Sequence, residues 1–167
     1  MASKLKFEVV PLDEVSRRDV EVVIGGDVPV VLVVDDEPVI ADTLSIILMK
    51  SGFSTVTAYD GTTALELARR VRPRLLISDV VMPHMTGIDL AIAVTQLNPE
   101  CKVLLFSGQA STVDLLAEAR EAGYDFTTLV KPVHPADMLR RVSNCLATGD
   151  SVSGHGSESV QGGYLFQ

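Results

Sequence analysis

Val30-Val31-Leu32-Val33-Val34-Asp35-Asp36-Glu37-Pro38 is the stretch that decides the fold. Five consecutive apolar residues, most of them β-branched, read as a parallel strand covered on both faces. The run ends abruptly in acids. Pro38 stands where a first-turn proline is tolerated, so a helix should follow to about Lys50. Ile40, Leu44, Ile47 and Leu48 fall on one face of that helix, and Ser51-Gly52 stops it.

The same alternation continues downstream. Residues 54–59 read as a second strand, with Asp60 as the cap of a helix from Thr62 to Arg70. Ala64, Leu65, Leu67, Ala68 and Val71 supply the apolar face of that helix, and Arg72-Pro73 ends it. Leu75-Leu76-Ile77-Ser78-Asp79 is a buried strand closed by a carboxylate; the chain then turns through Pro83 and Gly87 into a third helix over 88–97. Asn98-Pro99 breaks to a fourth strand over 102–107. A fourth helix starts at Ser111, which with Asp114 resembles a capping box, and Gly123 ends it. Thr127-Thr128-Leu129-Val130 is a short fifth strand closed by Lys131-Pro132. Pro135 opens the last helix, with Met138, Leu139, Val142 and Leu146 inward. Five strands alternating with five helices specify a parallel sheet sandwiched between helices.

In such a sheet, ligands gather outside the carboxyl ends of the strands. One acid there, taken alone, is a turn residue or a helix cap. Side by side, however, the five termini present Asp35 and Asp36, then Asp79, Ser107 and Lys131. Three carboxylates at one edge repel one another, and a hard divalent cation held by oxygens relieves them. A hydroxyl and an ammonium opposite would suit a phosphoryl group bonded to one carboxylate, whose added charge the cation and the lysine offset.

Over about residues 29–147 the chain resembles the receiver domain of two-component response regulators. Asp35-Asp36 matches the family's metal-binding acids, and Asp79 its phospho-accepting aspartate. Pro83 and Gly87 stand four and eight positions after Asp79, as in the family. Ser107 matches its hydroxyl residue, and Lys131-Pro132 its lysine with a cis-bonded proline. The resemblance implies a doubly wound, flavodoxin-like sheet of order 2-1-3-4-5, and a phosphoacceptor signalling protein rather than an enzyme with a separate substrate. Asp79 would take a phosphoryl group from a sensor histidine kinase or a histidine phosphotransfer protein. Mg²⁺ would sit on Asp36 and Asp79, with Asp35 through water and the Val81 backbone carbonyl completing the ligands. Lys131, the Ser107 hydroxyl and the Gly108 amide would receive phosphoryl oxygens. Output would follow from an inward move of Ser107 and a changed surface on the fourth helix, fifth strand and fifth helix, acting on a downstream protein or through a phosphorylation-dependent homodimer. The chain departs from many relatives at Thr128, where they carry an aromatic residue. Phe126, two residues earlier and on the same face, is the candidate substitute.

Composition narrows the rest. A chain of 167 residues that is 47% apolar can bury a full core. A net charge of −8 and the lack of a basic stripe argue against nucleic acid and anionic membranes as partners. No apolar run approaches the ~20 residues of a membrane span, and acids and Pro11 interrupt any signal-like segment, so a cytoplasmic protein is expected. Cys101 and Cys145 have no metal-like spacing and read as small buried residues. His84 reads as a loop residue and His134 as a helix starter; with His155 in the tail, no histidine stands out as a phosphodonor. Residues 1–28 read as an extension with a possible hairpin, and residues 148–167 as a flexible Gly/Ser-rich tail. No DNA-binding or enzymatic pattern follows residue 147, which suggests a stand-alone, single-domain type. An aspartyl phosphatase would want an acid where Val81 stands, and a dinucleotide-binding enzyme a glycine-rich turn in place of Asp35-Asp36-Glu37-Pro38. The remaining rival is a receiver-like docking module that is never phosphorylated.

Overall fold

The computed structural model describes residues 28–108 and 112–147. The expected amino-terminal hairpin, the tail and the Ser111 cap lie outside the described residues. Five strands, β1 (Val30–Val34), β2 (Ser54–Ala58), β3 (Leu75–Asp79), β4 (Lys102–Ser107) and β5 (Thr127–Val130), form one parallel sheet in the order β2-β1-β3-β4-β5. Five helices connect and follow them: α1 (Pro38–Lys50), α2 (Gly61–Val71), α3 (Gly87–Leu97), α4 (Thr112–Glu121) and α5 (Pro135–Ala147). The parallel sheet is the one expected from the alternating pattern, and its doubly wound order is the one the resemblance implies.

The strands separate their apolar residues by period two. Val31, Val33, Leu75, Ile77, Leu104 and Phe106 face Leu48 of α1 and Met138 and Val142 of α5. Leu32, Val34, Leu76, Val103 and Leu105 face α2, α3 and Ala119 of α4. Because both faces are covered, β1, β3 and β4 are buried except at Val30, Asp79, Lys102 and Ser107 at their ends. β2 and β5 are the edge strands, and the last residue of β5, Val130, is exposed.

The expected inward face of α1 holds for Leu44, Ile47 and Leu48, which pack on the core, and two small residues widen it. The fully buried residues are Ala41, Ser45 and Leu48, with Ile40, Leu44 and Ile47 only partly covered. Ser45 tolerates burial because its hydroxyl pairs with that of Thr57 on β2 at 2.6 Å. The helix starts are built locally. Asp60 caps α2 by accepting from the Thr63 amide at 2.8 Å. Thr86 and Asp89 form a reciprocal capping box at α3. His134 accepts from the Ala136 amide through Nδ1 at 3.2 Å and opens α5, as expected for a helix starter. No described helix is long and apolar enough to cross a membrane.

Candidate functional site

The site grows out of the register. Val34 lies opposite Ser78, Asp79 opposite Phe106, and Ser107 opposite Val130. The residues that leave β1, β3 and β5 therefore emerge at one edge of the sheet. Asp35, Asp36 and Asp79 converge there, their nearest carboxylate oxygens all within 4.8 Å of one another. Lys131 Nζ sits 3.1 Å from Asp79 Oδ1 and 3.3 Å from Asp35 Oδ2. Asp35 is 1% exposed, and its other oxygen accepts the Glu37 amide at 3.0 Å. Asp36 is exposed and has no ion pair among the described residues.

One ammonium thus faces three carboxylates. Partial burial pushes the Asp79 carboxyl above its usual range, and the charge of Asp35 adds to this; the bond and charge of Lys131 oppose both without cancelling them. Burial also works against the Lys131 charge, but its bond to Asp79 and the charges of Asp35 and Asp79 prevail and raise it. The residues suit a hard divalent cation: three oxygen donors of like charge lie close together, one of them open to solvent, and among the described residues Lys131 alone is ion-paired with them.

The loop after Asp79 is held by its backbone. The Val80 amide donates to the Phe106 carbonyl at 3.0 Å, and the Gly87 amide to the Val80 carbonyl at 2.9 Å. Val80 and Met82 anchor the loop in the core, while Val81 is 42% exposed. Its assignment as a carbonyl ligand rests on the resemblance alone. His84 is exposed in this loop with φ +66°, in keeping with a loop residue.

The Ser107 carbonyl accepts the Lys131 amide at 2.8 Å, so the backbones of the two residues are joined. Among the described residues the Ser107 side chain has no bond to the acid–lysine cluster; its hydroxyl is hydrogen-bonded to that of Thr112. Sequence reasoning missed Thr112, because nothing in its spacing marks a buried hydroxyl at the start of α4. The Lys131–Pro132 bond is cis. Thr128 lies opposite Leu105, and Phe126 precedes β5 with its ring stacked on Tyr124 at 5.8 Å. Cys101 is buried, which pushes its thiol up to about 12; Cys145 is only partly buried.

Comparison with known proteins identifies this arrangement. The response regulator receiver domain family matches residues 31–143. The transcriptional regulatory protein PrrA of Mycobacterium bovis is 35% identical over 84% of this chain and 60% of its own length. The DNA-binding response regulator MtrA of Mycolicibacterium smegmatis is 33% identical over 67% of this chain and 48% of its own. The chain thus spans about half the length of these curated relatives. MtrA's name includes DNA binding, so the exclusion of nucleic acid drawn from net charge finds no support there. Among solved structures, the chemotaxis protein CheY4 of Vibrio cholerae superposes with a TM-score of 0.64 at 32% identity, covering 71% of this chain and 99% of that one. A CheY-like receiver domain protein of Methanospirillum hungatei gives a TM-score of 0.68 at 26% identity, covering 75% and 99%. With its family match, its sheet order and its strand-end acids, the chain belongs to the response regulator receiver domains, which are signalling modules.

Proposed function

We propose that Asp79 is a phosphoacceptor that takes a phosphoryl group from a phosphohistidine of a sensor kinase or phosphotransfer protein. The observation that carries this reading is the 3.1 Å approach of Lys131 Nζ to Asp79 Oδ1 beside two further carboxylates. An Asp79 oxygen attacks phosphorus while the phosphorus–nitrogen bond breaks, and the departing imidazole keeps the electron pair. Burial raises the Asp79 carboxyl, while the bond and charge of Lys131 favour the ionised form that acts as nucleophile. Lys131, 3.1 Å from Asp79 Oδ1, would shift from the carboxylate to a phosphoryl oxygen as charge builds there. Asp35, Asp36 and Asp79 would hold Mg²⁺, which when bound offsets the negative charge on the phosphoryl oxygens. Ser107 would donate to another phosphoryl oxygen after its hydroxyl turns, and the α4–β5–α5 surface would change with it to control a protein partner.

Incubation with a small acyl-phosphate donor and Mg²⁺, followed by intact-mass measurement, tests this. One phosphoryl group per chain is expected, absent in Asp79→Asn and absent without divalent cation. No uptake, or uptake that survives Asp79→Asn, would instead favour a module that docks partners without phosphorylation.

A further inference from the structure

Period two sorts the strand ends onto different faces of the sheet. Asp79 continues the row Leu75 and Ile77, which faces α1 and α5. Ser107 continues the row Val103 and Leu105, which faces α2, α3 and α4. On that side the Ser107 hydroxyl meets Thr112, the first residue of α4. Thr112 is fully buried, a costly place for a hydroxyl unless it is bonded. Every buried side-chain polar atom among the described residues has a partner, so this hydroxyl is satisfied where it stands. Val130 lies directly opposite Ser107 on β5, with Thr128 two residues before it on the same face, and neither brings a large side chain that could follow Ser107 inward. The link between Ser107 and α4 therefore runs directly from hydroxyl to hydroxyl.

We infer that Thr112 is a positioning residue that latches the Ser107 hydroxyl away from Asp79, so that phosphorylation must break the Ser107–Thr112 bond and release the first turn of α4. The inference rests on the phosphoacceptor reading and adds to it the element through which the site reaches α4. The latch biases an equilibrium. It favours the resting arrangement by the net worth of one hydrogen bond, and its loss should favour the phosphoryl-bound arrangement by the same amount.

Binding of beryllofluoride with Mg²⁺ to the full chain, measured by calorimetry, tests the latch as a double-mutant cycle. Thr112→Val keeps the volume and removes the hydroxyl; it should tighten binding about three- to tenfold, the range expected for one net hydrogen bond. Thr112→Ser should keep wild-type affinity. In a Ser107→Ala background, Thr112→Val should shift affinity less than it does in the wild-type background, because the Ser107–Thr112 bond is already gone. In the chain without Mg²⁺ or beryllofluoride, Thr112→Val and Ser107→Ala should each speed hydrogen exchange in the first turn of α4. If Thr112→Val cannot be accommodated, Thr112→Ala removes the same hydroxyl and carries the same expectations. Unchanged or weaker binding by Thr112→Val, or an equal shift in both backgrounds, overturns the latch. Failure of the wild-type chain to bind beryllofluoride and to be phosphorylated at Asp79 overturns the phosphoacceptor reading, and the latch with it.

Discussion

A methyl group at position 87 would stand 1.9 Å from the carbonyl oxygen of Asp79 and 2.9 Å from Ser78 Oγ, which itself donates to that carbonyl at 2.9 Å. The start of α3 is thus laid against the peptide of Asp79, and only a hydrogen fits between them. Gly87→Ala should cost about 2–3 kcal/mol in urea unfolding, the upper part of the range for overpacking, and should sharply reduce phosphoryl uptake because the Asp79 backbone must shift. Gly52→Ala is the control. Its φ of +92° opposes a side chain, but nothing lies within 4 Å, so a loss of about 1 kcal/mol with normal uptake is expected. Charge at the same residue gives a second outcome. Burial raises the Asp79 carboxyl in the folded chain, so the ionised form is less favourable there than in the unfolded chain. The resulting cost is full above the folded value and vanishes as pH falls below the unfolded one. Asp79→Asn should therefore be more stable than wild type at pH 7 without divalent cation, and the gap should close below about pH 4. Urea midpoints across that range measure it; a wild type that is the more stable at pH 7 would contradict this account.

Helix α3 owes its position to its first turn. Thr86 Oγ1 accepts the Asp89 amide at 3.1 Å, and Asp89 Oδ2 accepts the Thr86 amide at 3.2 Å. Thr86→Ala should cost about 1 kcal/mol and speed exchange of the Gly87 amide, which bonds to the Val80 carbonyl beside the site; hydrogen exchange with an unfolding curve checks both. Elements of this kind differ in how plainly the chain declares them. Continuous apolar runs such as Val30–Val34 and Leu75–Asp79 announce buried parallel strands, because few other structures bury every side chain in a short segment. Asp60 and His134 announce helix starts by residue type and place. The inward face of α1 was less legible. Ser45 is buried through a bond to Thr57, a pairing across two elements that apolar spacing alone does not record. Thr112 escaped for a related reason: its partner is fixed by the path of the chain between β4 and α4, not by periodicity.

At the scale of the whole molecule, the site exists only once distant segments meet. Asp35 and Lys131, 96 residues apart, share a hydrogen bond because β1, β3 and β5 run parallel and finish at one edge. Each candidate acid was legible from its place after an apolar run, whereas the separation of Ser107 from the acid–lysine cluster was not, because it depends on a side-chain bond. Lys131 closes the charge balance of this edge, so its removal should be felt by the entire fold. In Lys131→Met the nearly fully buried Asp35 loses one of its two partners, and Asp79 loses its counter-charge. Lys131 is itself partly open to water, so the loss should be about 1–3 kcal/mol, below that of a fully buried pair. The sign with pH follows from its raised value. A lysine held above its unfolded range contributes fully below that range and is lost as pH rises through the folded value. The gap between wild type and Lys131→Met should therefore be flat from about pH 6 to 10. It should narrow in stronger alkali, and narrow again below about pH 4 as the carboxyls take up protons. Mg²⁺ should restore much of the variant's stability, since a cation among the three carboxylates replaces the missing charge, and it should raise the variant's midpoint more than that of wild type. Equal midpoints for the two proteins at pH 7 without divalent cation would mean that Lys131 does not balance this edge.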